Sequence, residues 1–237
     1  MRLDIYVSKK CNIARNKAQF MIKQWIVSVD GFSVKKSSFR IKNDEIIDIL
    51  ENKFQQYVSR SAIKLKDFLS QAQIDLKWKL CLDVWASTGG FTQVMLENGA
   101  SNVVSLDVGT NQLHKNIEWN ENVLSIEKTD IRDFETNIKF DFIVVDVSFI
   151  SLKLIIDKIF ELIKEWWDIV FLYKPQFEVW RKNINKKWVA KSKMLVKEKL
   201  KDFIIEIESK GKTVIWTRRS ILEGKKWNRE WFIFVSA

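Results

Sequence analysis

The sequence predicts a doubly wound α/β domain with a mostly parallel sheet, preceded by a small α+β module. Three observations carry that reading. From Leu80 onward, apolar runs of strand length alternate with longer runs of helical spacing, the pattern of a parallel sheet covered on both faces. The run Leu82-Asp83-Val84-Trp85-Ala86-Ser87-Thr88-Gly89-Gly90-Phe91 reads as a strand, a small-residue turn and the start of a helix. That arrangement lets a nucleoside cofactor lie against bare backbone at a strand's carboxyl end. The next strand, Val103-Val104-Ser105-Leu106, also ends in an acid. An acid such as Asp107, roughly 20 residues after the turn, is placed to hold ribose hydroxyls.

The elements follow in order. Residues 1–50 form the small module. Ala14, Ala18, Met21 and Ile22 recur at helical spacing, with Arg15, Lys17 and Lys23 on other faces. Ile26-Val27-Ser28-Val29 and Phe32-Ser33-Val34 flank Asp30-Gly31, a hairpin turn. Lys35, Lys36, Arg40 and Lys42 follow it. A basic helix beside a basic hairpin suits phosphate contacts, and a solvated charged face would have the same composition. Residues 51–57 read as a connector, and residues 58–237 as the large domain. Arg60 to Leu69 is predicted helical, with Ile63, Leu65, Phe68 and Leu69 apolar. Strands are expected at 80–84, 102–106, 123–127, 141–146, 168–173, 213–217 and 230–235, and helices at 90–98, 151–164 and 192–208.

Composition narrows the function classes. The chain has 237 residues and a formal net charge of +10, from 40 basic and 30 acidic residues. Such a balance favours an anionic partner, with nucleic acid first and an anionic membrane surface second. A lysine-rich proteome would give the same sign. Cys11 and Cys81 are far apart and form no metal motif or disulfide framework, which fits a reducing cytoplasm. His114 is the single histidine, which weighs against a zinc site or a histidine-based triad. The opening Met1-Arg2-Leu3-Asp4 does not read as a signal peptide, and no apolar run approaches the ~18 residues of a membrane span. The expectation is a cytoplasmic protein with no membrane partner and no metal.

Four charged residues stand at strand ends or on a helix face. Lys64 lies within Tyr57-Val58-Ser59-Arg60-Ser61-Ala62-Ile63-Lys64. Asp146 ends the apolar run Phe142-Ile143-Val144-Val145, and Lys174 ends Ile169-Val170-Phe171-Leu172-Tyr173. Glu230 precedes Trp231-Phe232-Ile233-Phe234-Val235. Singly, each reads as a solvated strand end; two lysines and two acids converging on one crevice would be a site.

In chain order, Lys64, Asp146, Lys174 and Glu230 resemble the Lys-Asp-Lys-Glu tetrad of FtsJ-related ribose 2′-O-methyltransferases. The phrases Ala86-Ser87-Thr88-Gly89-Gly90-Phe91-Thr92, Asp107-Val108-Gly109, Asp146-Val147-Ser148-Phe149-Ile150-Ser151 and Lys174-Pro175-Gln176-Phe177-Glu178 are similar to those of the TlyA, or hemolysin A, family. The opening Arg2-Leu3-Asp4, the Ala14-Arg15 helix and Val27-Ser28-Val29-Asp30-Gly31 resemble the RNA-binding module first seen in ribosomal protein S-four.

The resemblance implies a Rossmann-like S-adenosylmethionine-dependent methyltransferase sheet with its last strand antiparallel. It implies methyl transfer to a ribose 2′-hydroxyl of ribosomal RNA, with ribosomal subunits as partners. Lys174 would be the base, with Lys64 and partial desolvation favouring its neutral amine, while Asp146 and Glu230 orient the lysines. S-adenosylmethionine contacts would come from Asp83, the residue at Trp85 (glycine in the family), Ser87, Gly89, Gly90, Phe91, Asp107, Val108 and Asp130. RNA contacts would come from Arg2, Arg15, Lys17, Lys23, Lys35, Lys36, Arg40 and Arg60. Two other classes compete: a non-catalytic RNA-binding or ribosome-assembly factor on the same fold, and a secreted membrane-lysing protein.

Tryptophan is anomalous. The chain has 11 Trp and 7 Gly, where average usage gives roughly 17 glycines. Trp25, Trp78, Trp85, Trp166, Trp167, Trp180, Trp188, Trp216 and Trp227 sit where a turn or strand entry calls for glycine. The pattern implies a gene in which UGA encodes glycine, read with a table that makes UGA tryptophan; the alternative is a divergent protein that is genuinely rich in tryptophan. Sequencing the gene tests this: UGA is expected at all nine positions, and UGG there contradicts it.

Overall fold

A computed structural model describes residues 1–23, 27–30, 32–42, 45–49, 57–186, 188–224 and 228–236. Trp25, Ile26, Gly31, Trp227, connector residues 51–56 and the side chains of Lys17 and Trp166 lie outside the described set. The chain divides into two compact units, Met1–Tyr57 and Val58–Ala237.

The first unit begins with a helix that hydrophobic spacing did not reveal, α1 (Leu3–Lys10). Its Leu3 and Val7 are one turn apart and both buried. Then come α2 (Arg15–Lys23), β1 (Val27–Val29), β2 (Phe32–Ser33) and β3 (Ile47–Ile49). The strands form an antiparallel sheet in the order β2-β1-β3. The expected hairpin is therefore present, and β3 is an addition. The core gathers Leu3, Val7, Ala18, Met21, Ile22, Val27, Val29, Ile41 and Ile47.

One buried charge organises this unit. Asp4 is fully buried, and its carboxylate accepts from Arg2, from Arg15 Nε at 3.1 Å and from Gln19 Nε2 at 2.7 Å. The Arg2 hydrogen bonds hold its pKa well below the usual carboxylate range, against the opposing effect of burial, with Gln19 and Arg15 adding to the lowering. The two arginines are thus fixed by an internal acid while their side chains remain partly exposed.

The second unit contains α3 (Ser61–Ala72), β4 (Leu80–Val84), α4 (Gly90–Glu97), β5 (Asn102–Leu106), α5 (Lys115–Glu118), β6 (Val123–Ile126), β7 (Phe140–Val145), α6 (Ile156–Leu162), β8 (Ile163–Tyr173), α7 (Pro175–Glu178), α8 (Lys193–Ser209), β9 (Thr213–Arg219) and β10 (Trp231–Ser236). The sheet order is β6-β5-β4-β7-β8-β10-β9. The contacts β6–β5–β4–β7–β8 are parallel, and β10 runs antiparallel to both neighbours. The central strands are apolar on both faces because helices cover both; Phe142, Ile143, Val144 and Val145 are all fully buried.

Two expectations need correction. The helix expected over 151–164 is split: a 3₁₀ turn at Leu152–Leu154, capped by the Ser151 hydroxyl, precedes α6. Trp166-Trp167, read as a glycine-type turn, lies inside β8. Phe140 pairs with Ile163 and Phe142 with Asp168, so residues 164–167 bulge opposite Asp141. Trp167 is buried there, its ring 6.4 Å from Phe160 and 4.7 Å from the Lys212 ammonium. Large aromatic side chains favour extended backbone, so the strand starts early.

Three of the seven described tryptophans at glycine-type positions adopt left-handed backbone: Trp78 (φ 66°), Trp85 (φ 74°) and Trp188 (φ 61°). That region costs an L residue roughly 1–2 kcal/mol and glycine almost nothing. Trp166, Trp167, Trp180 and Trp216 are absent from it. Trp78 and Trp180 make a matched pair, because both are 77% exposed but Trp180 has φ −57°. Trp78→Gly should therefore gain about 1 kcal/mol of stability relative to Trp180→Gly. Thermal melts of the two variants check this; equal shifts would contradict it.

Candidate active site

Parallel strands deliver their last residues to one edge of the sheet, and the register fixes which residues arrive together. Val84 lies opposite Leu106 on one side and Val145 on the other. The next residues, Trp85, Asp107 and Asp146, therefore emerge side by side. Tyr173 pairs with Trp231, and β10 is antiparallel, so Lys174 leaves β8 where Glu230 enters β10. Lys64 comes from α3. A cleft of about 730 Å³ at this edge is lined by Lys64, Asp146, Lys174 and Glu230, with Arg60, Trp85, Ser87, Phe91, Asp107 and Val108.

The four charged residues form two ion pairs. Lys64 Nζ lies 2.5 Å from Glu230 Oε2, and Glu230 is 3% exposed. Gly224 packs against that carboxylate so closely that a Cβ would fall 1.8 Å from Glu230 Oε1. Lys174 Nζ donates to the Asp146 carbonyl at 3.0 Å and to Ser148 Oγ at 2.8 Å. Asp146 Oδ1 stands 2.8 Å from the same nitrogen, close as an ion pair but not aligned as a hydrogen bond. The Lys174 amine is thus held at the mouth of β8 by groups from the end of β7.

The other half of the cleft is built on Asp107. Its Oδ2 accepts from Ser87 N and its Oδ1 from Gly109 N, both at 2.7 Å. Each carboxylate oxygen keeps further lone-pair capacity. Phe91 and Val108 supply apolar surface beside it. This donor set fits an adenosine: a carboxylate for the ribose diol and apolar walls for the base.

Asp83, Gly89 and Gly90 support the turn from behind rather than lining the cleft. Asp83 Oδ2 accepts from Thr92 N at 2.8 Å and Thr92 Oγ1 at 2.7 Å. Burial pushes the Asp83 carboxyl up to about 7, against the lowering effect of the Thr92 hydroxyl. Gly89 has φ 84°, and a Cβ on Gly90 would fall 1.9 Å from Ser59 Oγ. Asp130 lies outside the cleft lining; it caps a 3₁₀ turn, and Arg132 occupies its carboxylate. Arg60, expected among the RNA contacts, is half-buried in the cleft wall, where burial lowers its pKa and the Glu230 charge opposes that shift.

Several participants were not foreseen. Ser148 holds Lys174. Phe149 has φ 67° and is exposed, with its ring 5.1 Å from Phe177 at the cleft rim. Gln176 lies in the cleft wall and is buried, and its Oε1 has no hydrogen-bond partner among the described residues. All three fall within the phrases quoted above, but a side chain's direction at a strand end is not encoded in residue spacing. Glu178, from the same phrase, plays a scaffolding part: it accepts from Ser151 Oγ at 2.6 Å and Leu152 N at 2.9 Å, and burial raises its pKa.

A doubly wound sheet with an adenosine-type half-site and two Lys–acid pairs at its carboxyl edge defines an S-adenosylmethionine-dependent methyltransferase. The FtsJ-like methyltransferase model matches residues 57–236, and the chain belongs to that family. It is 40% identical to the 23S rRNA (cytidine-2′-O)-methyltransferase TlyA of Campylobacter jejuni, over 99% of this chain and 98% of that protein. It is 37% identical to Hemolysin A of Brachyspira hyodysenteriae, over 98% of each. Among solved structures, a hemolysin-type protein from Streptococcus thermophilus superposes with a TM-score of 0.75 at 29% identity, covering 100% of this chain and 88% of that one.

Trp85 is the one lining residue that does not fit an adenosine. It lines the cleft from a left-handed backbone position and packs on the core cluster. Trp85→Gly should tighten S-adenosylmethionine binding at least about ten-fold, because it removes a bulky side chain where the cofactor backbone would pass. Isothermal titration of both forms checks this; equal affinity would contradict it.

Proposed function

We propose that this chain transfers the methyl group of S-adenosylmethionine to a ribose 2′-hydroxyl of ribosomal RNA. S-adenosylmethionine supplies, when bound, a methyl group already activated on a sulfonium. The protein's task is then alignment and removal of one proton. Asp107, Ser87, Phe91 and Val108 would hold the donor.

The observation that carries the reading is the anchoring of Lys174 by Asp146 and Ser148. As an ammonium, Lys174 has three donors and three oxygens within 3.0 Å to take them. As a neutral amine it can keep two of these contacts and turn its lone pair to the 2′-hydroxyl. The hydroxyl proton would then pass to Nζ as the O–C bond forms and the sulfonium's bond to the methyl carbon breaks, with neutral S-adenosylhomocysteine as the leaving group. Glu230 and Lys64 pair with each other nearby and form the adjoining wall of the cleft.

The first unit supports an RNA substrate. Lys35, Lys36 and Arg40 are exposed, and Arg2 and Arg15 are pre-positioned by Asp4. Such contacts track phosphate without reading bases. A ribosomal RNA substrate would put the activity in the cytoplasm. Among the described residues no helix is long and apolar enough to cross a membrane, and no group of three or more His, Cys, Asp or Glu is arranged to hold a metal.

Labelled methyl should pass from S-adenosylmethionine to unmodified ribosomal subunits, using the chain with glycine at the nine tryptophan positions. Lys174→Ala should lower the rate by at least about 100-fold, the usual contribution of a positioned base, while S-adenosylmethionine still binds. Retained RNA binding with no incorporation by the parent protein would favour the non-catalytic reading instead.

A further inference from the structure

We propose that Glu178 is a positioning residue for the methyl transfer: from outside the cleft it holds the loop after β7 so that Ser148 stays against the Lys174 amine. The inference rests on the proposed ribose methylation, in which Lys174 takes the proton.

Lys174 and Glu178 stand at the two ends of the short helix α7, and both reach the same neighbour, the segment 146–152 that follows β7. At one end Lys174 Nζ donates to the Asp146 carbonyl and to Ser148 Oγ. At the other, Glu178 accepts from Ser151 Oγ at 2.6 Å and from Leu152 N at 2.9 Å. Between them the Phe149 and Phe177 rings stand 5.1 Å apart. Helix and loop are thus tied at three places, and Glu178 supplies the tie that lies outside the cleft lining. A hydroxyl at 2.6 Å from a carboxylate oxygen is a charge-assisted hydrogen bond, stronger than a neutral one.

The loop that Glu178 holds is strained. Phe149 has φ 67°, a conformation that a bulky residue keeps only where its surroundings impose it. Val147 and Leu152 are buried in the core, so residues 148–151 bridge two fixed points. The Ser151 hydroxyl that donates to Glu178 also caps the 3₁₀ turn, accepting from Lys153 N at 3.3 Å. Without the carboxylate, Ser151 Oγ and Leu152 N lose their acceptor, and the left-handed turn at Phe149 is free to relax. Ser148 directly precedes Phe149, so that relaxation carries its hydroxyl away from Lys174.

The test measures methyl transfer to unmodified ribosomal subunits by the glycine-restored chain and its variants, with both substrates saturating. Glu178→Ala should lower kcat by roughly ten- to a hundred-fold, the cost of a small misplacement at a reacting group, while KM for S-adenosylmethionine stays within about two-fold. Glu178→Gln keeps an acceptor for Leu152 N and a polar group for Ser151, and should recover most of the loss. Ser151→Ala removes one tie only and should lower kcat several-fold, which keeps the test open if Glu178→Ala does not fold. Because Glu178 acts through Ser148, Glu178→Ala combined with Ser148→Ala should be no slower than the slower single variant, whereas a general loss of folded protein would multiply with it. If Glu178→Ala and Ser151→Ala both keep kcat within about two-fold of the parent, the packing of Val147 and Leu152 holds the loop unaided and the inference falls. Losses that multiply in the double variant, or a Glu178→Gln variant no faster than Glu178→Ala, overturn it as well. A parent protein that methylates no ribose overturns the underlying function instead, so the two failures are separable.

Discussion

The functional edge depends on one constraint: the register of a parallel sheet into which a single antiparallel strand is inserted. Parallel pairing of β4, β5 and β7 forces Trp85, Asp107 and Asp146 to emerge together. The reversed direction of β10 does something different. It lets a residue that precedes a strand, Glu230, meet residues that follow strands. Had β10 run parallel, Glu230 would lie at the opposite edge, and Lys64 would face the cleft without its acid.

Charge in the cleft is balanced locally. Each lysine has its own acid, and each pair has a different backing. Lys64–Glu230 is the more enclosed pair, with the backbone of Gly224 pressed on the carboxylate. Breaking such a pair by removing one partner leaves a buried charge, which costs several kcal/mol. Lys174–Asp146 is the more open pair and carries the hydroxyl of Ser148 as a third contact. That asymmetry suits a division of labour in which one lysine holds the wall and the other exchanges a proton. In the first unit Asp4 uses the same device for another end: a fully buried carboxylate fixes two arginines whose outer faces remain available to an anionic partner.

Much of this was legible in the sequence because the periodicity is strong. Strand ends at Val84, Leu106 and Val145 were placed within one residue by the alternation of apolar runs with acids. The FtsJ-like membership and its cofactor could be read from the tetrad and the turn phrases. Helix α1 escaped because only Leu3 and Val7 mark its buried face, and the short β3 gives too few residues for a pattern. The early start of β8 escaped because Trp166-Trp167 was read as a turn, and two indoles instead extend the strand. Asp130 and Arg60 show the limit of carrying roles by position: spacing does not say that Arg132 takes the first carboxylate or that the second side chain is folded into the cleft wall. Backbone strain is partly legible in the sequence: the glycine-type positions Trp78, Trp85 and Trp188 are left-handed, while nothing in the sequence marks the left-handed Phe149.

The most direct measurement is the chemical position of the transferred methyl group. Ribosomal RNA methylated by the glycine-restored chain would be digested to nucleosides and separated by mass. The geometry around Lys174 predicts a methyl on the ribose 2′-oxygen, a product that also resists alkaline cleavage of its 3′ phosphodiester. A methyl found on a base nitrogen or carbon would contradict the account, because the amine anchored by Asp146 and Ser148 would then not be acting on a hydroxyl.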